Sequence, residues 1–474
     1  MKSLLAKSWH SPTLMTWMSF AARSGGLLLV TPLILRNFSP AQTSLWFLFL
    51  TISSLIMMAD FGFGPSFVRA ISYARSGRRT LESGEDLLEG PNQPLLGSIY
   101  RALLKSYTRL SLIGGLLGVG LGTWAVMKPV SELANASEGW AAWGIVLVSS
   151  IGIFRNNAYS NWLQGLNLVA LVRRAEAILA LGTTLLTAAV VFATHSFLWA
   201  VLAAQTGTFL SSLMIRHLGR SAAPTAIETS PETEKAVMAF IWPAAWRSGV
   251  GVLMSNAIIQ ASGVIYAQMA PPSQVAPYLL AMRILQMIIQ ISMAPFYSKI
   301  PHFASLYAAD RRPELIRDVQ KGMARSHWVY VAGILGVAWT VQPLLHLIGS
   351  KVSFVSPSLW LFMGLAFFIE RMGAMHLQFY SLSNHILWHI ANGVAGSIYL
   401  IVSILLLPHI GVAAFPAGIV AGYAGFYTWF AMRLVNQRYK ISISSFERRA
   451  ACLPLVIIVA FMACAFAVTI KFQN

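Results

Sequence analysis

Arg23 and Arg247 stand 224 positions apart, the first in an apolar run from Thr13 to Leu35 and the second in a run over 237–268. Each lies about ten residues, roughly 15 Å of helical rise, into its run, which is near the middle of a bilayer and beyond easy snorkelling. Arg155 and Arg371 repeat the relation at an offset of 216, in Ile153-Phe154-Arg155 and Ile369-Glu370-Arg371. A guanidinium at such depth costs at least about 2.5–3.5 kcal/mol on insertion scales and needs a compensating partner. The acidic residues inside apolar runs are few: Asp60, Glu176 and Glu370. A chamber lined by these arginines would be positive and attract an anion. Phosphate oxygens suit a planar, bidentate group that stays ionised at any relevant pH.

The competing reading is that each arginine bonds a backbone carbonyl or snorkels and only supports the fold. Arg69, Arg109, Arg283 and Lys299, nearer the ends of their runs, fit that reading better. Depth and repetition favour anion binding for Arg23 and Arg247. Arg155 and Arg371 fit either, and Glu370 can neutralise Arg371 in part. His385 and His389 are four residues apart with His376 nearby, but no carboxylate or cysteine companion is apparent, so a structural or helix-end role is the better expectation than a metal site. Neither a Walker loop nor a nucleophile elbow is present. No cofactor, no ATP-driven step by this chain alone and no enzymatic activity are expected.

The elements that must carry these residues follow from composition. Of 474 residues, 56% are hydrophobic and only 11% charged, with a mean hydropathy of +0.64; soluble domains carry roughly a quarter charged residues. The chain reads as an all-α polytopic membrane protein. Apolar runs predict thirteen spans, near 13–36, 43–66, 98–126, 140–165, 174–194, 197–217, 237–268, 275–300, 323–348, 357–380, 386–407, 411–433 and 451–470. The first run is too long for a cleavable signal and should remain as a span. With the N-terminus inside, the basic residues of the inner segments outnumber those outside (Arg36, Lys128, Lys351 and Lys471) several-fold, as the positive-inside rule requires. The net charge of +18 is therefore mainly topological, and no nucleic-acid partner is implied. Cys452 and Cys464 lie too far apart along one helix for a disulfide.

The two halves resemble each other. Ala22-Arg23-Ser24-Gly25 is echoed by Trp246-Arg247-Ser248-Gly249, Ser39-Pro40-Ala41-Gln42 by Pro271-Pro272-Ser273-Gln274, and Arg155 by Arg371, in the same order at offsets of 216 to 232. This argues for a duplicated six-helix unit. An even helix number gives both copies one orientation, related by an axis along the membrane normal. The division predicted is a lobe over 1–217, a linker over 218–235, a second lobe over 236–433, and an extra C-terminal helix within 434–474. Such parallel repeats are a transporter architecture with alternating access. Pro32, Pro65, Pro243 and Pro295 fall in the first two helices of each half, where they would bend them. Gly114, Gly118 and Gly122, like Gly418 and Gly422, permit close helix packing.

Arg23, Thr31-Pro32-Leu33, the segment Ala59-Asp60-Phe61-Gly62-Phe63-Gly64-Pro65-Ser66-Phe67-Val68-Arg69, and Asn161-Trp162-Leu163-Gln164-Gly165-Leu166-Asn167 resemble Wzx-type polysaccharide flippases. These belong to the multidrug/oligosaccharidyl-lipid/polysaccharide exporter (MOP) superfamily, which includes the MATE exporters, and the 6+6 arrangement covers nearly the whole chain. The resemblance implies flipping of an undecaprenyl-pyrophosphate-linked oligosaccharide, an O-antigen or exopolysaccharide repeat unit, from the inner to the outer leaflet of a bacterial cytoplasmic membrane. It assigns lipid-phosphate binding to Arg23, and to Arg247 through the repeat. It also implies a proton or sodium gradient, for which Asp60 and Glu370 are the candidate carriers, and a polysaccharide polymerase with chain-length machinery as partners. Thirteen spans depart from the family's usual twelve or fourteen. The alternatives are a lipid II flippase, a multidrug exporter, which would need an acidic lumen, or a membrane polysaccharide polymerase or ligase, which would need a long outer loop.

Overall fold

The computed structural model describes residues 15, 18–19, 22, 25–77, 81, 90–224, 231–383 and 387–471. Among the described residues helix is found within each predicted span, with a break inside 43–66 and only part of 13–36 described. Ten helical stretches among the described residues are long and apolar enough to cross a membrane, and an eleventh arises if the bent pair Ile443–Ala450 and Cys452–Ala467 is one span. The chain is a multi-pass membrane protein. One of the ten stretches, Trp388–Tyr439, holds two predicted spans, because the chain reverses at Gly411, whose φ of 55° suits a residue without Cβ.

In chain order the helices are α1 (Thr31–Asn37), α2 (Pro40–Met58), α3 (Phe63–Arg75), α4 (Gln93–Leu117), α5 (Thr123–Ser131), α6 (Ala136–Gly165), α7 (Val169–Thr194), α8 (Phe197–Ser221), α9 (Pro231–Val252), α10 (Ile258–Met269), α11 (Pro272–Tyr297), α12 (Ile300–Ala308), α13 (Arg312–Leu347), α14 (Pro357–Ser381), α15 (Trp388–Ile410), α16 (Ala414–Gly422), α17 (Thr428–Tyr439), α18 (Ile443–Ala450) and α19 (Cys452–Lys471). Two compact units emerge. Unit 1 contains Met1–Leu253, Gly263–Ser273 and Gly349–Lys351; unit 2 contains Met254–Ser262, Gln274–Ile348 and Val352–Asn474. Unit 1 thus runs through α9, which carries Arg247.

The repeated motifs have local explanations. Ser39-Pro40-Ala41-Gln42 opens α2 with a capping box: the Gln42 amide donates to Ser39 Oγ at 3.2 Å and the Ser39 amide to Gln42 Oε1 at 3.0 Å, satisfying two donors that the first helical turn leaves free. Pro272, in the matching motif, opens α11; proline tolerates a helix start because its missing N–H would have no partner there. The first span of each half also carries a widened π-helical turn, Gly26–Val30 and Leu253–Ala257. Such turns loosen the local hydrogen-bond ladder and recur at functional sites. The second lies where the chain leaves unit 1 for unit 2.

One expected span is broken. The run read as continuous over 43–66 ends as helix at Met58 and resumes at Phe63. Phe61 and Gly62 take positive φ of 45° and 73°, which no helix accommodates. The tight hairpin at His195 holds, with α7 ending at Thr194, His195 at φ 49°, and α8 starting at Phe197.

The small-residue ladders pack. A Cβ on Gly118 would stand 2.6 Å from Leu147 Cδ1, and one on Gly122 2.9 Å from the Trp143 ring, both on α6. In unit 2, Gly418 and Gly422 of α16 meet Ser403, Tyr399 and the Ala395 carbonyl of α15. At Gly422 the obstacle is backbone, which cannot rotate away. Gly422→Val is expected to cost about 1–3 kcal/mol, read as a lower unfolding temperature of the detergent-solubilised protein; an unchanged transition would show that α15 and α16 separate freely.

Candidate functional site

The break between α2 and α3 builds the polar site of unit 1. Asp60 follows the end of α2, and its carboxylate accepts the Gly64 amide at 3.0 Å and the Tyr107 hydroxyl from α4. Asn161 of α6 donates to the same Tyr107 oxygen at 2.6 Å, so three elements converge on one carboxylate. A side chain on Gly64 would meet Asp60 and Asn161 at 2.9 Å, which explains the second glycine of Asp-Phe-Gly-Phe-Gly. The turn also docks on α9: a Cβ on Gly62 would lie 3.0 Å from the Ala245 carbonyl oxygen, and one on Gly249 2.8 Å from the Phe61 carbonyl oxygen. Phe63 and Trp242 reinforce the contact, their rings 6.0 Å apart. The two motifs singled out separately in the sequence, Asp-Phe-Gly and Arg-Ser-Gly, are therefore packed against each other.

Arg247 is exposed on α9, its guanidinium 6.0 Å from the neighbouring Trp246 ring, a cation–π contact. Arg155 is exposed on α6, while its neighbours Phe154 and Asn156 turn inward, Phe154 against Tyr107 and Asn156 toward Ser212. Neither arginine forms an ion pair among the described residues. Arg23 lies outside the described residues.

The acids are committed. Glu176 accepts from Arg173 at 2.9 Å and from Ser19 at 3.3 Å. In unit 2, Glu370 of α14 is buried and both its oxygens take the Nε and Nη2 donors of Arg371. Tyr297, Tyr330, Tyr423 and Tyr427 lie within electrostatic reach of this pair, and Met293 Sδ lies 3.4 Å from Arg371 Nη1. Arg371 therefore spends its bidentate face on its own neighbour, whereas its repeat counterpart Arg155 does not. Arg283 contacts Gln286 and Arg69 contacts Ser66, both at 3.5 Å.

Tyr107 is invisible to sequence reading, since one tyrosine in an apolar helix carries no signal. Asn161 is visible only through the family resemblance. The His385 environment lies outside the described residues, but His376 does have a carboxylate companion, Glu447, at 2.8 Å; spacing misses the pairing because Glu447 sits 71 positions away on another helix. No group of three or more metal-ligating residues forms among the described residues.

Neither a protein-family model nor a curated protein matches the chain. Solved structures do. A lipid II flippase, MurJ, in an inward closed conformation aligns with a TM-score of 0.65 at 10% identity, over 97% of this chain and 98% of that one. An inward-facing multidrug resistance MATE family transporter of the MOP superfamily aligns at 0.61 and 14% identity, over 92% and 100%. The MATE multidrug transporter DinF-BH, solved as a ligand complex, aligns at 0.58 and 17% identity, over 92% and 98%. The chain is thus an all-α membrane protein with the MOP fold, shared over almost its full length with flippases and exporters.

Proposed function

We propose that this protein is a flippase for a polyprenyl-pyrophosphate-linked oligosaccharide, an O-antigen or exopolysaccharide repeat unit, in a bacterial cytoplasmic membrane, with its N-terminus on the cytoplasmic side. The observation that carries the reading is the uneven commitment of charge. All three acids inside the predicted spans are bonded, whereas Arg247 and Arg155 stand exposed without an ion pair among the described residues. Uncommitted guanidinium groups are set to take a diphosphate, with Arg23 joining them by the repeat, while the polyprenyl tail stays in lipid and the sugars follow the polar route. In unit 2, Arg371 is available to an anion only when Glu370 releases it. Asp60, bonded by Tyr107 and the Gly64 amide, is the proposed coupling acid of unit 1, with Glu370 its candidate in unit 2.

A second reading, a lipid II flippase, draws support from the fold shared with MurJ, and its substrate carries the same diphosphate. A cation exporter would need free acids where this protein has free arginines. The test is reconstitution into liposomes with a labelled polyprenyl-diphosphoryl sugar, following leaflet exposure while proton or sodium gradients are imposed. Gradient-dependent exposure above protein-free vesicles is expected. Movement of lipid II alone would favour the second reading, and movement of neither would overturn both.

A further inference from the structure

A second buried polar cluster sits in unit 2, where α13, α14 and the short amphipathic helix α18 meet. His327 on α13 and His376 on α14 are fully buried. His327 Nδ1 lies 2.8 Å from the Ala450 carbonyl oxygen and His376 Nδ1 2.8 Å from the Met372 carbonyl oxygen. A carbonyl only accepts, so in both rings Nδ1 must carry the hydrogen, which in a neutral imidazole leaves Nε2 a bare lone pair. His376 Nε2 nevertheless lies 2.8 Å from Glu447 Oε1 of α18. A bare lone pair against a carboxylate oxygen at that distance is repulsive. The contact is favourable only when one of the two atoms carries a proton. His376 Nε2, His327 Nε2 and both Glu447 oxygens are buried, and none of the four meets full hydrogen-bond geometry among the described residues.

We propose that His376, Glu447 and His327 form a proton-binding site, and that loss of its proton releases α18 from α13 and α14. The remaining contacts of α18 are modest: Phe446 and Ala450 enter the apolar cluster with Met323, Met375 and Phe379, the His376 ring faces Phe446, and Gln320 of α13 donates to the Phe446 carbonyl at 2.9 Å. On α14, Glu370 and Arg371 are bound to each other; on α18, Arg448 and Arg449 are exposed; on α13, Arg317, Lys321 and Arg325 are exposed, Asp318 contacts His302, and His327 stacks on Phe368, ring centroids 4.7 Å apart. None of these described groups replaces the proton once it leaves. The sign follows: acid keeps α18 seated, and raising the pH leaves an ionised carboxylate beside a lone pair and unseats it. The site does not depend on what the protein transports.

The test uses the full chain in lipid nanodiscs, with Cys452→Ser and Cys464→Ser and a spin label at Ser444→Cys on the exposed side of α18. Mobility of the label is followed between about pH 5 and 8, where imidazole titrates. One proton held only by the seated form makes the ratio of immobile to mobile label fall about tenfold per pH unit through the transition. Glu447→Gln, whose amide can donate to a bare Nε2, should stay seated at every pH. Mobility that ignores pH in the parent, or an unchanged transition in Glu447→Gln, would overturn the proposal. A substitution-free check is the histidine ¹⁵N spectrum of the parent at neutral pH: a protonated His376 Nε2 supports the site, and a bare one beside an ionised Glu447 refutes it.

Discussion

Arg247→Ala should reduce transport of a diphosphate-linked glycolipid by about two orders of magnitude at equal abundance in the membrane. A charge-assisted bond to a charged group is worth about 1.5–3 kcal/mol, and a guanidinium makes two such bonds to one phosphate. The substitution should leave folding intact, because the side chain is exposed and forms no ion pair among the described residues. Arg247→Lys should recover only part of the activity, since an ammonium restores the charge without the planar fork. Unchanged leaflet exposure in the Ala variant would remove Arg247 from the mechanism, and full activity in the Lys variant would show that charge alone matters.

Glu370→Ala should act in the opposite way, through stability. It leaves the largely buried Arg371 side chain, 20% exposed, with no other counter-charge among the described residues. Breaking a buried pair from one side costs about 3–5 kcal/mol, whereas replacing both members with apolar residues of similar volume is often neutral. The single variant is therefore expected to unfold at a markedly lower temperature and the double variant Glu370→Leu/Arg371→Met close to the parent. If the single variant is as stable as the parent, Arg371 has found another partner, and its role at the anion site gains weight.

Much of the fold is legible in the sequence because a membrane span is a local property. Apolar length alone anticipates most of the helices among the described residues, and the Ser39 capping box and the prolines at helix starts are local codes as well. What escapes is made by contacts across the chain. The interruption after Met58 depends on Phe61 and Gly62 taking positive φ, and Phe61 has no sequence signal for that. The docking of Asp60-Phe61-Gly62 on Ser248-Gly249 joins positions nearly 190 residues apart. Helix α18, with Glu447 turned inward just before the exposed Arg448 and Arg449, is too short and too charged to register as a span.

For the site, residue type is informative in the sequence and commitment is not. Depth and repetition single out Arg155 and Arg371 equally. Only the structure separates them, one exposed and the other bonded to its neighbour. The proximity of Glu370 to Arg371 in sequence does anticipate that pairing. His376 shows the opposite case: its companions by spacing, His385 and His389, draw attention away from Glu447.

A guanidinium at position 247 that faces water and serves as a cation can be tested by chemical replacement of its charge. In a Cys452→Ser, Cys464→Ser background, Arg247→Cys should be inactive, should react with membrane-impermeant thiol reagents, and should regain part of its transport when the attached group is cationic but none when it is anionic. Reaction only with lipophilic reagents, or equal recovery with either charge, would contradict the account.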